Sequence, residues 1–521
     1  MEQKNSILKE VEQAKIEELE TQGVEKKVNK KLTKKENIFV VFMIFLAVFL
    51  VLSIYWLKEN TGNVTLEQLI FHLKVPMKGT NTDMVWDYMK WTFLRVFIIV
   101  IAIGAIIILF EHFSKIQREK KKKILYMFSK IVLVTSVVIV MLIMNVYGFA
   151  KNQITASTLI EEEYIDPLNA NITFPEQKQN LIYIFLESLE NTFSSIEKGG
   201  MYQEDRMPEL TQIAQNNINF SNTEKMGGAL DLHGTNWTIA AMVSQTSGVP
   251  LKISIDGNEY GKHASFLPGA YTLGEILEEN GYTNYLLIGS ESEFGGRKQY
   301  FESHGNYNIW DYISAVEEER MKESEKVWWG YSDQDLFKYA KEQLTEIAKK
   351  DEPFNYTMLT VDTHFTDGYV CKGCDKHFDD QYSNVIRCSS KQVSEFLDWI
   401  KEQPFYENTT VIITGDHLTM QASTQNEVDA NNYGERTIYN AFINTKTDSE
   451  PKTINRKFFT FDMFPTTLAA IGAKIDGERL GLGTNLFSEE QTLAEKYGVE
   501  YVRKELDKKS KFYNNKLLYN K

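Results

Sequence analysis

The segment Asn180-Leu181-Ile182-Tyr183-Ile184-Phe185-Leu186-Glu187-Ser188 decides how this chain folds. Its apolar residues are consecutive rather than alternating, as in a strand covered on both faces, and the run stops on a carboxylate. Similar short apolar runs recur at 282–288, 356–361, 409–413 and 437–443. Helix-like stretches at 208–216, 273–279, 333–348 and 390–403 lie between them. Buried strands alternating with helices predict an α/β fold, a mixed or parallel sheet flanked by helices.

The residues that end these runs carry the chemistry. Glu187 follows the first, Asp362-Thr363-His364 the third and Gly415-Asp416-His417 the fourth. In open α/β sheets the ligand crevice lies outside the carboxyl ends of the strands. Glu and Asp oxygens, one imidazole and a hydroxyl there make a mixed oxygen and nitrogen set suited to Mn²⁺, Mg²⁺ or Zn²⁺. One ion is expected rather than two, because the chain has only eight His. The hydroxyl comes from Gly234-Thr235-Asn236-Trp237-Thr238, a small-residue turn before the apolar run Ile239 to Val243. Locally Thr235 reads as a helix N-cap. With a cation beside it, the same hydroxyl reads as a nucleophile.

Upstream, three apolar runs at about 37–57, 92–110 and 124–150 each have the length a membrane-crossing helix needs. A charged tail, 1–36, precedes them and reads as disordered or loosely helical. Lysines cluster at 26–35 and 115–123, which predicts a cytoplasmic N-terminus and everything after Ala150 outside the cell. Residues 151–179 then form a linker, 180–490 an extracellular catalytic domain and 491–521 a charged tail. Between the first two spans, an amphiphilic loop from Leu66 to Trp91, with Phe71, Trp86, Tyr88 and Trp91, is expected at the membrane interface. Arg95 is read as snorkelling.

The chain has 57 Lys+Arg against 71 Asp+Glu, and its acidity is concentrated in the outer part. An acidic domain repels phosphate backbones, so nucleic acid is not an expected partner. The three cysteines, Cys371, Cys374 and Cys388, are too few for a disulfide framework. Outside the cell, a disulfide from Cys388 to one of the other two is expected. The alternative is a zinc site with His377 as fourth ligand.

Taken in order, Leu-Glu187-Ser, Gly-Thr235-Asn-Trp-Thr238, Thr-His364-Phe and Thr-Gly-Asp416-His417 resemble the sulfatase and alkaline-phosphatase-like superfamily. Within it the chain is similar to the phosphoglycerol transferases of bacterial envelopes, the group that includes lipoteichoic acid synthase. The resemblance implies that Glu187, Asp416 and His417 hold one divalent ion, Mn²⁺ first and otherwise Mg²⁺ or Zn²⁺. It implies Thr235 as fourth ligand and nucleophile, with Thr238 as the hydroxyl residue that follows it. His364 is implied as a catalytic and phosphate-binding residue, and Arg297 as a ligand of the phosphoglycerol group. The implied reaction moves glycerol phosphate from phosphatidylglycerol, through a threonine intermediate, to a cell-envelope polysaccharide or glycolipid. Three spans rather than the five typical of lipoteichoic acid synthases favour glycan decoration over chain polymerisation. A phosphoethanolamine transferase and a non-catalytic envelope protein are the alternatives. Sulfatase activity is not expected, since no Cys or Ser lies in the setting that formylglycine formation needs.

Overall fold

The computed structural model describes residues 2–62, 64–75, 78–80, 82–252, 266–431, 434–447 and 450–520. Met1 and Lys521, the ends of the two expected tails, lie outside the described residues. The N-terminal part contains helices α1 (Glu2–Thr61), α2 (Leu66–Lys74), α3 (Thr82–Phe113) and α4 (Arg118–Ile143). The chain divides into two compact units, 1–57 with 82–146, and 58–81 with 147–521.

Among the described residues, three helical segments are long and apolar enough to cross a membrane: Ile38–Thr61, Thr82–Phe110 and Glu119–Ile143. Interlocking rings join these helices, with Phe49 against Phe93, Trp56 edge-on to Tyr88 and Phe39 against Tyr126. The second helix starts ten residues before the expected span, so Trp86, Tyr88 and Trp91 belong to it rather than to the loop. The third ends at Ile143, and Asn145 adopts a left-handed conformation (φ +47°) before a short helix resumes. The Arg95 guanidinium lies 3.9 Å over the Trp91 ring. Residues 2–36, expected to be disordered or loosely helical, continue α1 without a break.

The second unit is built on six strands: β1 (Asn180–Leu186), β2 (Thr283–Ile288), β3 (Asn308–Trp310), β4 (Phe354–Leu359), β5 (Thr409–Gly415) and β6 (Asn440–Ile443). Their order is β3-β2-β4-β1-β5-β6, and only β6 is antiparallel. Every residue of β1 is buried. Leu181, Tyr183 and Phe185 face one core, while Ile182, Ile184 and Leu186 face the other. That two-sided burial explains the unbroken apolar run. Helices α5 (Pro208–Asn216), α6 (Thr238–Ser247), α7 (Leu273–Glu279), α8 (Arg297–Ser303), α9 (Asp333–Ile347), α10 (Gln381–Lys401) and α11 (Met463–Ala470) belong to this unit. Residues of α6, α7 and α11 join the first core, and residues of α5, α9 and α10 the second.

The α/β sheet flanked by helices is thus the expected one. The C-terminal residues are not a tail. Helices α12 (Leu493–Tyr497) and α13 (Val499–Asp507) bury Leu493, Val502 and Leu506 in the first core, followed by Tyr513 and Leu517. Each such side chain contributes about 1.5–3 kcal/mol, enough to hold a charged segment down by one face. The loop helix α2 also belongs to this unit, with Phe71 fully buried against Trp237. Residues 66–74 of the amphiphilic loop expected at the membrane interface form this helix.

Candidate active site

Strand register assembles the site. The central β1 pairs Phe185 with Leu359 of β4 on one side and Leu186 with Gly415 of β5 on the other. The residues that follow, Glu187, Thr360 to His364 and Asp416-His417, therefore emerge along one edge. Glu187 N donates to Thr360 Oγ1 at 2.9 Å. Ser188, a non-glycine residue at φ +57°, donates its amide to Asp416 Oδ1 at 2.8 Å and its hydroxyl to Glu187 Oε1 at 2.7 Å. A backbone in that region costs about 1–3 kcal/mol and persists where its surroundings over-determine it. Here it fixes two carboxylates at once.

Glu187, Asp416 and His417 are all buried, with ligand atoms within 4.8 Å of one another. His417 Nε2 lies 3.5 Å from Glu187 Oε1 and 3.4 Å from Asp416 Oδ2. The other ring nitrogen, Nδ1, faces Leu418 O at 2.8 Å, a bond that leaves the Nε2 lone pair pointing at the carboxylates. Asp416 Oδ2 is buried without a hydrogen-bond partner among the described residues. Burial, and then Glu187 beside it, push the Asp416 carboxyl up to about 8. Burial also acts to raise Glu187, but His417, His364 and two hydroxyl donors outweigh it and hold that carboxyl down. Two adjacent buried carboxylates, one of their oxygens orphaned, and an imidazole nitrogen turned to them suit a divalent cation. The donor set fits one.

The two threonines of the turn separate cleanly. Thr235, fully buried, donates its hydroxyl to Leu232 O at 2.9 Å, and its amide bonds the same carbonyl. Gly234 sits at φ +84° in this turn, where a Cβ would meet Leu251 O at 2.9 Å. Thr238 is the first residue of α6 behind Trp237 as N-cap, and its hydroxyl donates to Glu187 Oε2 at 3.1 Å, 3.5 Å from His417 Nε2. The hydroxyl at the cluster is therefore that of Thr238. Thr235 is the residue expected as ligand and nucleophile; in the structure its oxygen is hydrogen-bonded inside its own turn, and the nearby Thr238 stands at the cluster instead.

Arg297 is buried, donating to Ser290 Oγ, Glu291 O and Phe294 O. Burial lowers its guanidinium to about 10, while Glu187, Asp311 and Asp416 act to keep it charged. It opens α8 behind Gly295 and Gly296. His364, half-buried, faces Phe365 O with Nδ1 at 2.6 Å and stands 4.8 Å from the Trp329 ring. Burial lowers its pKa, and Glu187 opposes that shift. Both groups are close enough to act electrostatically with Glu187. The Asp362 carboxyl, buried and without a hydrogen-bond partner among the described residues, is raised by burial and then by Asp333. Sequence reasoning gave no role to Ser188, Trp329 or Phe294, since nothing local distinguishes them from ordinary loop and core residues.

The cysteine cluster is a separate feature. Cys374 and Cys388 are joined, with Cα atoms 5.1 Å apart, and the buried Cys371 thiol lies 3.3 Å from Cys374 Sγ. His377 pairs with Glu204 at 2.6 Å instead of joining a zinc set. Cys371 and Cys388 line a cavity of about 970 Å³ between α9 and α10, which none of the catalytic candidates enters.

The Sulfatase family model matches residues 179–473, more than half of the chain, and the protein belongs to that family. Phosphoglycerol transferase I of Escherichia fergusonii is 31% identical over 328 residues, covering 61% of this chain and 40% of that one. The chain thus spans well under half the length of that relative. Among solved structures, an alkaline phosphatase superfamily protein from Vibrio parahaemolyticus superposes with a TM-score of 0.49 at 20% identity, over 65% of this chain and 79% of that one. The lipoteichoic acid synthase LtaP from Listeria monocytogenes gives 0.48 at 15% identity, over 64% and 82%.

Proposed function

We propose that this chain is a membrane-anchored, metal-dependent phosphoglycerol transferase with Thr238 as its nucleophile. The observation that carries the reading is the Thr238 hydroxyl at the N-terminus of α6, donated to Glu187 beside Asp416 and His417. The donor is phosphatidylglycerol and the acceptor a hydroxyl of a cell-envelope polysaccharide or glycolipid. Membrane anchoring by the three apolar helices keeps the site near a donor that stays in the bilayer. With the N-terminus cytoplasmic, as the lysine clusters favour, the catalytic unit is extracellular.

A divalent cation held by Glu187, Asp416 and His417, Mn²⁺ first and otherwise Mg²⁺ or Zn²⁺, would neutralise the carboxylates, acidify the neighbouring hydroxyl and polarise the phosphoryl group. Thr238 gives up its proton to water and its oxygen attacks the phosphorus of the donor. The bond to the diacylglycerol oxygen breaks, and that oxygen takes a proton from His364. Arg297 and the free amides of the first turn of α6 hold the phosphoryl oxygens. An acceptor hydroxyl then attacks the glycerophosphothreonine, passing its proton to His364, and the Thr238 oxygen leaves and is reprotonated.

The test is to incubate the full chain in detergent with Mn²⁺ and headgroup-labelled phosphatidylglycerol. Label bound covalently to the protein, with diacylglycerol released, supports the reading. Labelling from phosphatidylethanolamine instead would make it a phosphoethanolamine transferase.

A further inference from the structure

The segment 58–81, between the first two apolar helices, touches three loops that carry the site. Gln68 Nε2 donates to Asn236 O at 2.9 Å, and Phe71 packs on Trp237 at 5.4 Å, both directly before Thr238. Gln68 also reaches Met420 Sδ, and the Gly62 backbone approaches Met420 O, three residues after His417. Lys78 pairs with Glu293 at 3.0 Å, and Gly79 abuts Glu291, in the loop that leads to Arg297. The segment is held from within by the Thr65–Gln68 capping box at the start of α2.

His72, on α2, is the residue this packing directs inward. Its ring stacks at 18° on Phe294, with centroids 6.0 Å apart. Phe294 meets Trp329 at 5.3 Å, and Trp329 meets His364 at 4.8 Å. A row of rings thus runs from the loop helix to the catalytic histidine candidate. Neither ring nitrogen of His72 has a hydrogen-bond partner among the described residues. In the same row the indole N–H of Trp329, a buried residue, is also unpartnered. Burial, then the nearby His364, lower the His72 pKa to about 4. At neutral pH its imidazole is uncharged and offers one donor and one acceptor, the complement of a hydroxyl group. An uncharged ring also adds no charge beside the phosphoryl-binding arginine.

We infer that the loop helix completes the active site and that His72 is a substrate-binding residue for the hydroxyls of the transferred glycerol, seated on the Phe294–Trp329 row. This rests on the phosphoglycerol transferase reading. The physical sense is that a group from the loop next to the membrane spans meets the headgroup of a membrane lipid. The same hydroxyl-bearing group would distinguish glycerol phosphate from smaller phosphodiesters.

The test uses the full chain in detergent with Mn²⁺ and two soluble chromogenic substrates, the 4-nitrophenyl phosphodiesters of glycerol and of methanol. Wild type is expected to prefer the glycerol diester. His72→Ala is expected to raise KM for it at least tenfold with kcat within about twofold, leaving the methyl diester unchanged and the bound Mn²⁺ stoichiometric. His72→Gln, which keeps a donor and an acceptor, is expected to recover part of the loss. Equal losses on both diesters, or loss of Mn²⁺, would mean a structural role and overturn the inference, as would unchanged kinetics on the glycerol diester. The soluble diesters probe His72 whether or not phosphatidylglycerol is the donor. Failure of lipid labelling would therefore sink the function reading and leave this result standing by itself.

Discussion

The hydroxyl of Thr238 donates to Glu187 Oε2 at 3.1 Å, across 51 residues of sequence, while that of Thr235 is turned to Leu232 O in its own loop. One threonine belongs to the cluster and the other to the turn that presents it. Thr235→Ser should therefore keep most activity, since a serine can still donate to Leu232 O. Thr235→Ala should cost stability, about 1–2 kcal/mol for a buried carbonyl left without its side-chain partner, with kcat largely kept. Thermal melts alongside rates would separate the two effects.

Metal binding should be visible without turnover. Saturation at a hundred times Kd adds about 2.7 kcal/mol to folding stability, so Mn²⁺ should raise the melting temperature and a chelator should reverse it. In Asp416→Asn the response should vanish. The metal-free variant should melt no lower than metal-free wild type, because the substitution removes a buried carboxyl whose ionised form is disfavoured. A full Mn²⁺ shift in Asp416→Asn would contradict the ligand set.

The C-terminal helices were read as a tail because residues 491–521 are rich in Lys and Glu. Composition hid the spacing of Val502, Leu506, Tyr513 and Leu517, which puts one apolar face on the core. The strand-end residues were legible for the opposite reason, since six consecutive apolar positions leave little doubt where β1 stops. The choice between Thr235 and Thr238 depends on where α6 begins. Either residue can start a helix, and only the tertiary partners of each hydroxyl tell the two apart. The contribution of α2 was beyond local pattern, because its partners lie more than 160 residues away in sequence.

His233 and Asp507 form a pair at 2.9 Å that ties α13 to the turn before Thr238. The Asp507 hydrogen bond raises the His233 pKa to about 9 against the opposing effect of burial. A histidine raised on folding adds stability that is whole below its unfolded value near 6.5 and is lost as pH rises through about 9. His233→Gln should accordingly lower the melting temperature at pH 6, and the difference should fade by pH 10. The side chain is half exposed, so the effect should stay below about 1 kcal/mol. A gap that grew with pH would refute the pairing.

Cysteine accounting is equally direct. Without reductant, the unfolded chain should take up one equivalent of alkylating agent, at Cys371, and with reductant three. Peptide mapping should find Cys374 linked to Cys388. Cys374→Ser should destabilise the second unit by about 3 kcal/mol, the value for a loop of some 15 residues.

The central claim is that Thr238 becomes covalently modified during turnover. The direct measurement is mass spectrometry of peptides from the full chain, quenched during reaction with phosphatidylglycerol and Mn²⁺. A glycerophosphoryl adduct on Thr238, absent from Thr238→Ala and unchanged in Thr235→Ser, is the predicted result. An adduct on Thr235, or wild-type release of diacylglycerol by Thr238→Ala, would contradict the account.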